Sequence, residues 1–231
     1  MKNNLYISEK FYSIQGEGKT TGVPAIFVRL SGCNLLCQSS NWVCDSIEVW
    51  QKGTSTEFED VLSGEEIEIL KQGAHLVITG GEPMLHQVKI LNFLNWLKEY
   101  HKCRPFVEIE TNGTFIPVKG LDKRVDQWNV SPKLENSGEA FGKRYEKDAL
   151  VFLNKLPTSC FKFVVDSEDD IKEIFGNYGF LSKNKVILMP AGDSQELLEK
   201  VRPLVIELCK KYVLRFTDRL HITAWNKKTG V

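Results

Sequence analysis

The sequence has no apolar run long enough to cross a bilayer. Its first ten residues, MKNNLYISEK, lack the apolar core of a secretory signal. It also lacks a charge bias: thirty Lys and Arg balance thirty Asp and Glu. Broad nucleic-acid binding needs a basic surface, and nothing here supplies one. Repeats and low-complexity tracts are missing too. These absences predict a cytoplasmic protein with no membrane partner and no nucleic-acid partner. In that reducing compartment the six cysteines read as thiols or metal ligands rather than disulfides. A chain of 231 residues suits a single domain, 1–231, with a sizeable core.

Short apolar runs alternate with longer helical patterns. AIFVRL (25–30), HLVIT (75–79), FVEIET (106–111), DQWNVS (126–131), FKFVV (161–165) and VILMP (186–190) read as strands. Ser63 with Glu66 is a capping-box signature opening a helix over 64–72. In 84–101, Leu91, Leu94 and Leu97 fall at helical spacing with Val88 on the same face. Further helices are expected over 168–176, after Ser167, and from Asp193 with Glu196 to about Lys211. Strands alternating with helices imply a mostly parallel α/β sheet, either curled into a full or partial barrel or open and doubly wound. Ligands then gather at the carboxyl ends of the strands. Four unusual loops fall there: the cysteine segment 31–46, GGEP after 79, TNGT after 110 and SPK after 130.

Cys33, Cys37 and Cys44 lie within twelve positions, with gaps of three and then six residues. A disulfide would leave one thiol over. Structural zinc wants four ligands, which a distant His75 or His86 would have to complete. Incidental clustering is a third reading. A 4Fe–4S cluster on three thiolates is a fourth, and it leaves one iron open to a cofactor. Cys103, Cys160 and Cys209 sit in apolar contexts and read as core or surface thiols.

A gap of three followed by a short gap, just after a strand, resembles the radical S-adenosylmethionine superfamily. There the second gap is usually two; here it is six. GGEP, ETNGT and SPK occupy the positions of that superfamily's cofactor loops. The stretch FYSIQGEGKTTGVPAIFVRLSGCNLLC (11–37), the CDS after the last cysteine and the ending RLHITAWNKKTGV (219–231) resemble, more narrowly, the 7-carboxy-7-deazaguanine synthase family. The resemblance implies a partial (β/α) radical barrel of one domain, with a C-terminal tail that contacts substrate. It implies three cofactors: a 4Fe–4S cluster, S-adenosylmethionine and magnesium. The reaction would convert 6-carboxy-5,6,7,8-tetrahydropterin to 7-carboxy-7-deazaguanine with loss of ammonia, in 7-deazapurine and queuosine biosynthesis. The implied partners are that small pterin, an electron donor such as flavodoxin or ferredoxin, and a second copy in a homodimer.

The resemblance also assigns residues. Cys33, Cys37 and Cys44 would ligate the cluster, and Ser46 would face magnesium through its hydroxyl. Val43, Asp45, Gly81, Glu82, Ser131, Pro132, Lys133, Met189 and Pro190 match the S-adenosylmethionine segments. Ile14, Gln15, Gly16, Arg29, Thr79 and Val231 match the substrate segments. No catalytic side chain is implied beyond the cluster and S-adenosylmethionine. His221 and Trp225 read as packing groups of the terminal segment, or as part of the family's ending. The long second gap predicts that QSSNWV bulges between two ligands while Cys44, Asp45 and Ser46 keep their places. Two rivals stay open: another radical enzyme, such as a glycyl-radical-enzyme activase, and a zinc-stapled binding module.

Overall fold

A computed structural model of the chain describes residues 3–39, 44, 47–228 and 230–231. In chain order the strands are β1 (Asn4–Ile14), β2 (Pro24–Leu30), β3 (Thr54–Glu57), β4 (His75–Gly80), β5 (Phe106–Thr111), β6 (Gln127–Val130), β7 (Ser159–Val165), β8 (Val186–Pro190) and β9 (Arg215–Phe216). The helices are α1 (Ile47–Trp50), α2 (Phe58–Val61), α3 (Gly64–Lys71), α4 (Gln87–His101), α5 (Phe141–Arg144), α6 (Lys147–Lys155), α7 (Glu168–Asn177), α8 (Gln195–Tyr212) and α9 (Leu220–Trp225).

All nine described strands form one sheet, ordered β3-β1-β2-β4-β5-β6-β7-β8-β9. From β2 to β9 every neighbour is parallel, while β1 and β3 add antiparallel at one edge. The parallel strands lie in the same order in space as in sequence. Right-handed crossovers then put the helices that join parallel strands on one face. The sheet has two ends, as a partial barrel requires, and the doubly wound alternative is not seen.

Side chains alternate across the sheet with period two. Ile26, Val28, Leu30, Ile78, Ile109, Trp128, Phe161 and Phe163 point to the helical face and form the core. Each such side chain contributes about 1.5–3 kcal/mol on burial. α4 covers them with Ile90, Phe93, Leu94 and Leu97. Val88, expected on that face, is exposed: the buried stripe runs through 90, 93, 94 and 97. The opposite, inner face is polar. There Arg29 pairs in register with Thr79, Glu110 with Asn129, and Asn129 with Cys160.

Local signals hold at most ends. Ser63 and Glu66 form the expected capping box of α3. Ser167 and Asp170 form another at α7. The cap of α8 is Ser194, which accepts from the Leu197 amide, rather than Asp193. Cys103, Cys160 and Cys209 are buried, as expected of small apolar groups.

The open side of the sheet is bridged by two segments. The β1–β2 hairpin loop, 15–23, meets the stretch after β9: Gly18 N–H donates to Thr217 Oγ1 at 2.8 Å, and Leu220 N–H donates to the Gly16 carbonyl at 2.9 Å. A buried ion network ties that loop to the inner face. Lys162 Nζ, on β7, donates to Glu17 Oε2 at 2.9 Å and to Glu110 Oε2 at 2.8 Å. Burial works against the Lys162 charge, but the two carboxylates outweigh it and raise its pKa. Replacing only Lys162 leaves Glu110 without its counter-charge and Glu17 with Arg219; breaking a buried pair in this way costs up to about 3–5 kcal/mol. Lys162→Met should therefore lower the urea unfolding midpoint strongly; an unchanged midpoint would show the network to be dispensable.

Candidate active site

The inner face opens into a cavity of about 640 Å³ at the carboxyl ends of the strands. Cys33, Cys37 and Cys44 all line it. The cysteine segment leaves β2 and is pinned by its own backbone. Gly32 N–H donates to the Trp50 carbonyl and its carbonyl accepts from Glu82 N–H, both at 2.9 Å. Leu36 N–H donates to Glu139 Oε2 at 2.6 Å. Gly138 packs so tightly on Gln38 that a Cβ there would lie 2.0 Å from the Gln38 carbonyl oxygen. Cys44 N–H donates to the Cys37 carbonyl at 3.0 Å, so the two ends of the six-residue gap meet. Of the segment expected to bulge, 38–43, residues 40–43 lie outside the described residues. Val43, Asp45 and Ser46 lie outside them as well.

Burial pushes the Cys33 thiol up to about 11; the Leu35 amide opposes this, and Glu82, Cys37 and Cys44 reinforce it. The three cysteines share one wall of the cavity. Yet among the described residues no group of three or more His, Cys, Asp or Glu could hold a single metal ion. The distant histidines do not complete a zinc site either. His75 Nδ1 is 2.6 Å from Glu108 Oε1, at the amino end of β4, and His86 Nε2 is 2.8 Å from the Ser31 carbonyl.

GGEP divides into two jobs. Gly81 lines the cavity. A Cβ on it would lie 2.5 Å from the Gly32 carbonyl oxygen and 2.6 Å from Cys33 Cβ, so only glycine lets the turn rest on the cysteine loop. Glu82 is fully buried behind that wall. Its Oε1 accepts from Met84 N–H at 3.0 Å and Thr111 Oγ1 at 2.8 Å, and its Oε2 accepts from Asn112 N–H at 2.7 Å. Burial pushes its carboxyl up to about 7 against those three donors. Glu82 is a strut between the β4 and β5 loops, not a wall group. Of the other residues matched to cofactor segments, Ser131, Lys133 and Met189 line the cavity, whereas Pro132 and Pro190 are buried and do not.

Ile14, Gln15, Gly16, Arg29, Thr79 and Val231 all line the same cavity. Gln15 Nε2 donates to Glu110 Oε1 at 3.1 Å and to Glu108 Oε2 at 3.3 Å. Arg29 Nε donates to Glu9 Oε1 at 2.7 Å. Arg29 thus has a structural ion pair and also lines the cavity. Several further wall groups carry no assignment from the sequence: Glu17, Glu110, Lys162, Asp166 and Arg219. Lys162, Glu108 and Glu110 carried a visible signal, since charges interrupt apolar strands at alternate positions. Burial opposes the Glu17 charge, but Lys162, Arg219 and His221 hold its carboxyl well below the usual range. Glu110 moves the other way: burial raises its pKa, Lys162 opposes, and Glu17 adds to the rise.

A one-sided α/β sheet with three thiols on the loop after its first parallel strand defines an iron–sulfur protein whose cluster loop opens on an internal binding cavity. A family model described as "4Fe-4S single cluster domain" matches residues 14–114. A 7-carboxy-7-deazaguanine synthase of Pyrobaculum aerophilum is 34% identical over 97% of this chain and 96% of its own length. One from Aquifex aeolicus is also 34% identical, over 94% of this chain and 92% of its own. The crystal structure of QueE from Escherichia coli superposes with a TM-score of 0.68 at 28% identity, covering 94% of this chain and 95% of that one. The chain belongs to the 7-carboxy-7-deazaguanine synthase family. It is therefore a radical S-adenosylmethionine lyase with a 4Fe–4S cluster, and the activase and zinc-module readings fall away. Among the described residues no helix is long and apolar enough to cross a membrane.

Overpacking a tight contact costs about 1–3 kcal/mol. Gly81→Ala should therefore displace Cys33 and reduce the iron retained after anaerobic reconstitution, while far-ultraviolet circular dichroism stays unchanged. Full iron retention would mean that the turn tolerates the methyl group.

Proposed function

We propose that this chain converts 6-carboxy-5,6,7,8-tetrahydropterin to 7-carboxy-7-deazaguanine with release of ammonia, for 7-deazapurine and queuosine biosynthesis. One observation supports this above others: the cysteine loop, the hairpin loop and the chain's end all line a single cavity. The bound cluster and S-adenosylmethionine supply the radical that abstracts hydrogen from the pterin. The protein supplies position, charge and exclusion of water.

Cys33, Cys37 and Cys44 hold the cluster in this reading. Gly81, Ser131, Lys133 and Met189 form the S-adenosylmethionine wall; Pro132 and Pro190 back it, and Glu82 holds its turn. Val43 and Asp45 flank the last ligand. Ile14, Gln15, Gly16, Arg29, Thr79 and Val231 take the pterin. The Arg29 guanidinium offers five N–H donors, of which Nε and Nη1 serve Glu9 and the Gly80 carbonyl; the rest suit the substrate carboxylate. Ser46 gives magnesium a hard oxygen ligand. A flavodoxin or ferredoxin supplies the electron, and two copies pair as a homodimer in the cytoplasm.

Anaerobic reconstitution followed by turnover with the carboxytetrahydropterin tests the reading by mass spectrometry. The deazaguanine product is expected from the wild type. Cys44→Ala should lose both normal cluster binding and product. If both survive, the third ligand is misassigned. Absence of product from a fully loaded wild type would refute the proposed reaction.

Gly16 gives a separate check on the pterin side. A Cβ there would lie 2.3 Å from His221 Nδ1. Gly16→Ala should push the ring aside and raise KM for the pterin by roughly tenfold, the scale of a 1–3 kcal/mol overpacking. An unaltered KM would remove Gly16 from the substrate wall.

A further inference from the structure

The hairpin loop and the loop after β8 line the cavity in different places, and one side chain grips both. Arg219 Nε donates to Glu17 Oε1 at 3.1 Å. Its Nη1 donates to the Gly192 carbonyl at 2.6 Å. Glu17 directly follows the pterin segment Ile14–Gly16, and Gly192 ends the MPAG segment that begins at Met189. A guanidinium is planar, and its N–H groups diverge at fixed angles. Glu17 and Gly192 therefore cannot shift independently while both bonds persist.

Neighbouring contacts stiffen the link. Lys162 holds the other Glu17 oxygen. Leu220 N–H, the next residue along, donates to the Gly16 carbonyl at 2.9 Å. Beyond Gly192, Gln195 N–H donates to Asn226 Oδ1 at 3.0 Å, which ties the start of α8 to the same C-terminal segment. Ordering either loop around its ligand thus orders the other.

We infer that Arg219 is a positioning residue that couples S-adenosylmethionine binding at the β8 loop to pterin binding at the hairpin loop, each ligand tightening the other. The inference rests on the ligand placement proposed above. Such coupling is reciprocal by thermodynamic linkage and spans about 5–150-fold in typical cases.

Calorimetric titration of the anaerobic, cluster-loaded enzyme without reductant tests it, since no turnover then occurs. The affinity for 6-carboxy-5,6,7,8-tetrahydropterin is measured with and without saturating S-adenosylmethionine, and the reverse. Wild type should show a mutual gain of at least about fivefold. Arg219→Lys keeps the charge but loses the two-pronged grip, and its coupling should fall towards one. Thr217→Ala removes the acceptor of Gly18 N–H without touching the guanidinium, and should keep the wild-type coupling. If Arg219→Lys does not fold, Glu17→Gln, which weakens the other end of the grip, should lose the coupling instead.

Wild-type affinities that are independent of each other overturn the inference. So does full coupling in Arg219→Lys, or in Glu17→Gln where that variant replaces it. Equal loss in Thr217→Ala and the grip variant also overturns it, because general loosening would then be the cause. A loaded chain that binds neither ligand fails the proposed function and this inference together. One that binds both and makes product without coupling fails the inference alone.

Discussion

The Lys162 ammonium, held between Glu17 and Glu110 on the inner face of the sheet, is the contact on which the site depends. A buried charge is costly unless paired and hydrogen-bonded. Here one cation serves carboxylates from two places: Glu110 from β5, and Glu17 from a loop that is not part of the sheet. The pairing keeps a polar cavity wall charged without leaving it unbalanced. It also fastens the hairpin loop into the open side of the partial barrel. Wall chemistry and wall closure are the same interaction.

That economy follows from strand order. Parallel strands laid down in sequence order send all their helices to one face. The helical face takes the apolar residues, and the other face is left for side chains that need not pack as a core. Trp128 and Phe161 therefore alternate with Asn129 and Lys162 along β6 and β7. The crossover helices cannot cover the inner face, so other segments must. The hairpin loop and the segment after β9 do this, and each brings groups that line the cavity.

Much of this was legible in the sequence. The six apolar runs became β2 and β4 to β8, because branched and aromatic residues mark strands buried on one face at least. The thiol spacing and GGEP were legible as chemistry. The inner charges of FVEIET and FKFVV were legible in principle, since Glu108, Glu110 and Lys162 break apolar runs with period two. What they pair with was not. Glu17 and Lys162 lie 145 positions apart, and no local pattern relates them. β9 is two residues long and owes its register to β8, so it left no periodic signal. The place of Glu82 was not legible for another reason. A motif says which residues recur together, but not which of them faces the ligand. Only burial, with three donors converging on the carboxylate, separates the strut from the wall.

The closing contacts also differ from the sheet in how they are reached. β4 to β8 follow one another in sequence and in space, so their pairings are comparatively local. Gly18 and Thr217 meet across 199 positions, and Glu17 and Arg219 across 202. Loop closure grows costlier with separation, though only logarithmically. Preformed strands shorten the effective loop further, so these contacts gain most once the sheet exists. The inner wall is then completed by the parts of the chain least able to form alone. Loops of this kind occupy the low-stability end of a fold. Ligand binding energy acts most strongly on such parts, because there it opposes the smallest resisting free energy. A cavity wall closed by the hairpin loop and the chain's end is thus placed where ligand binding can finish the fold.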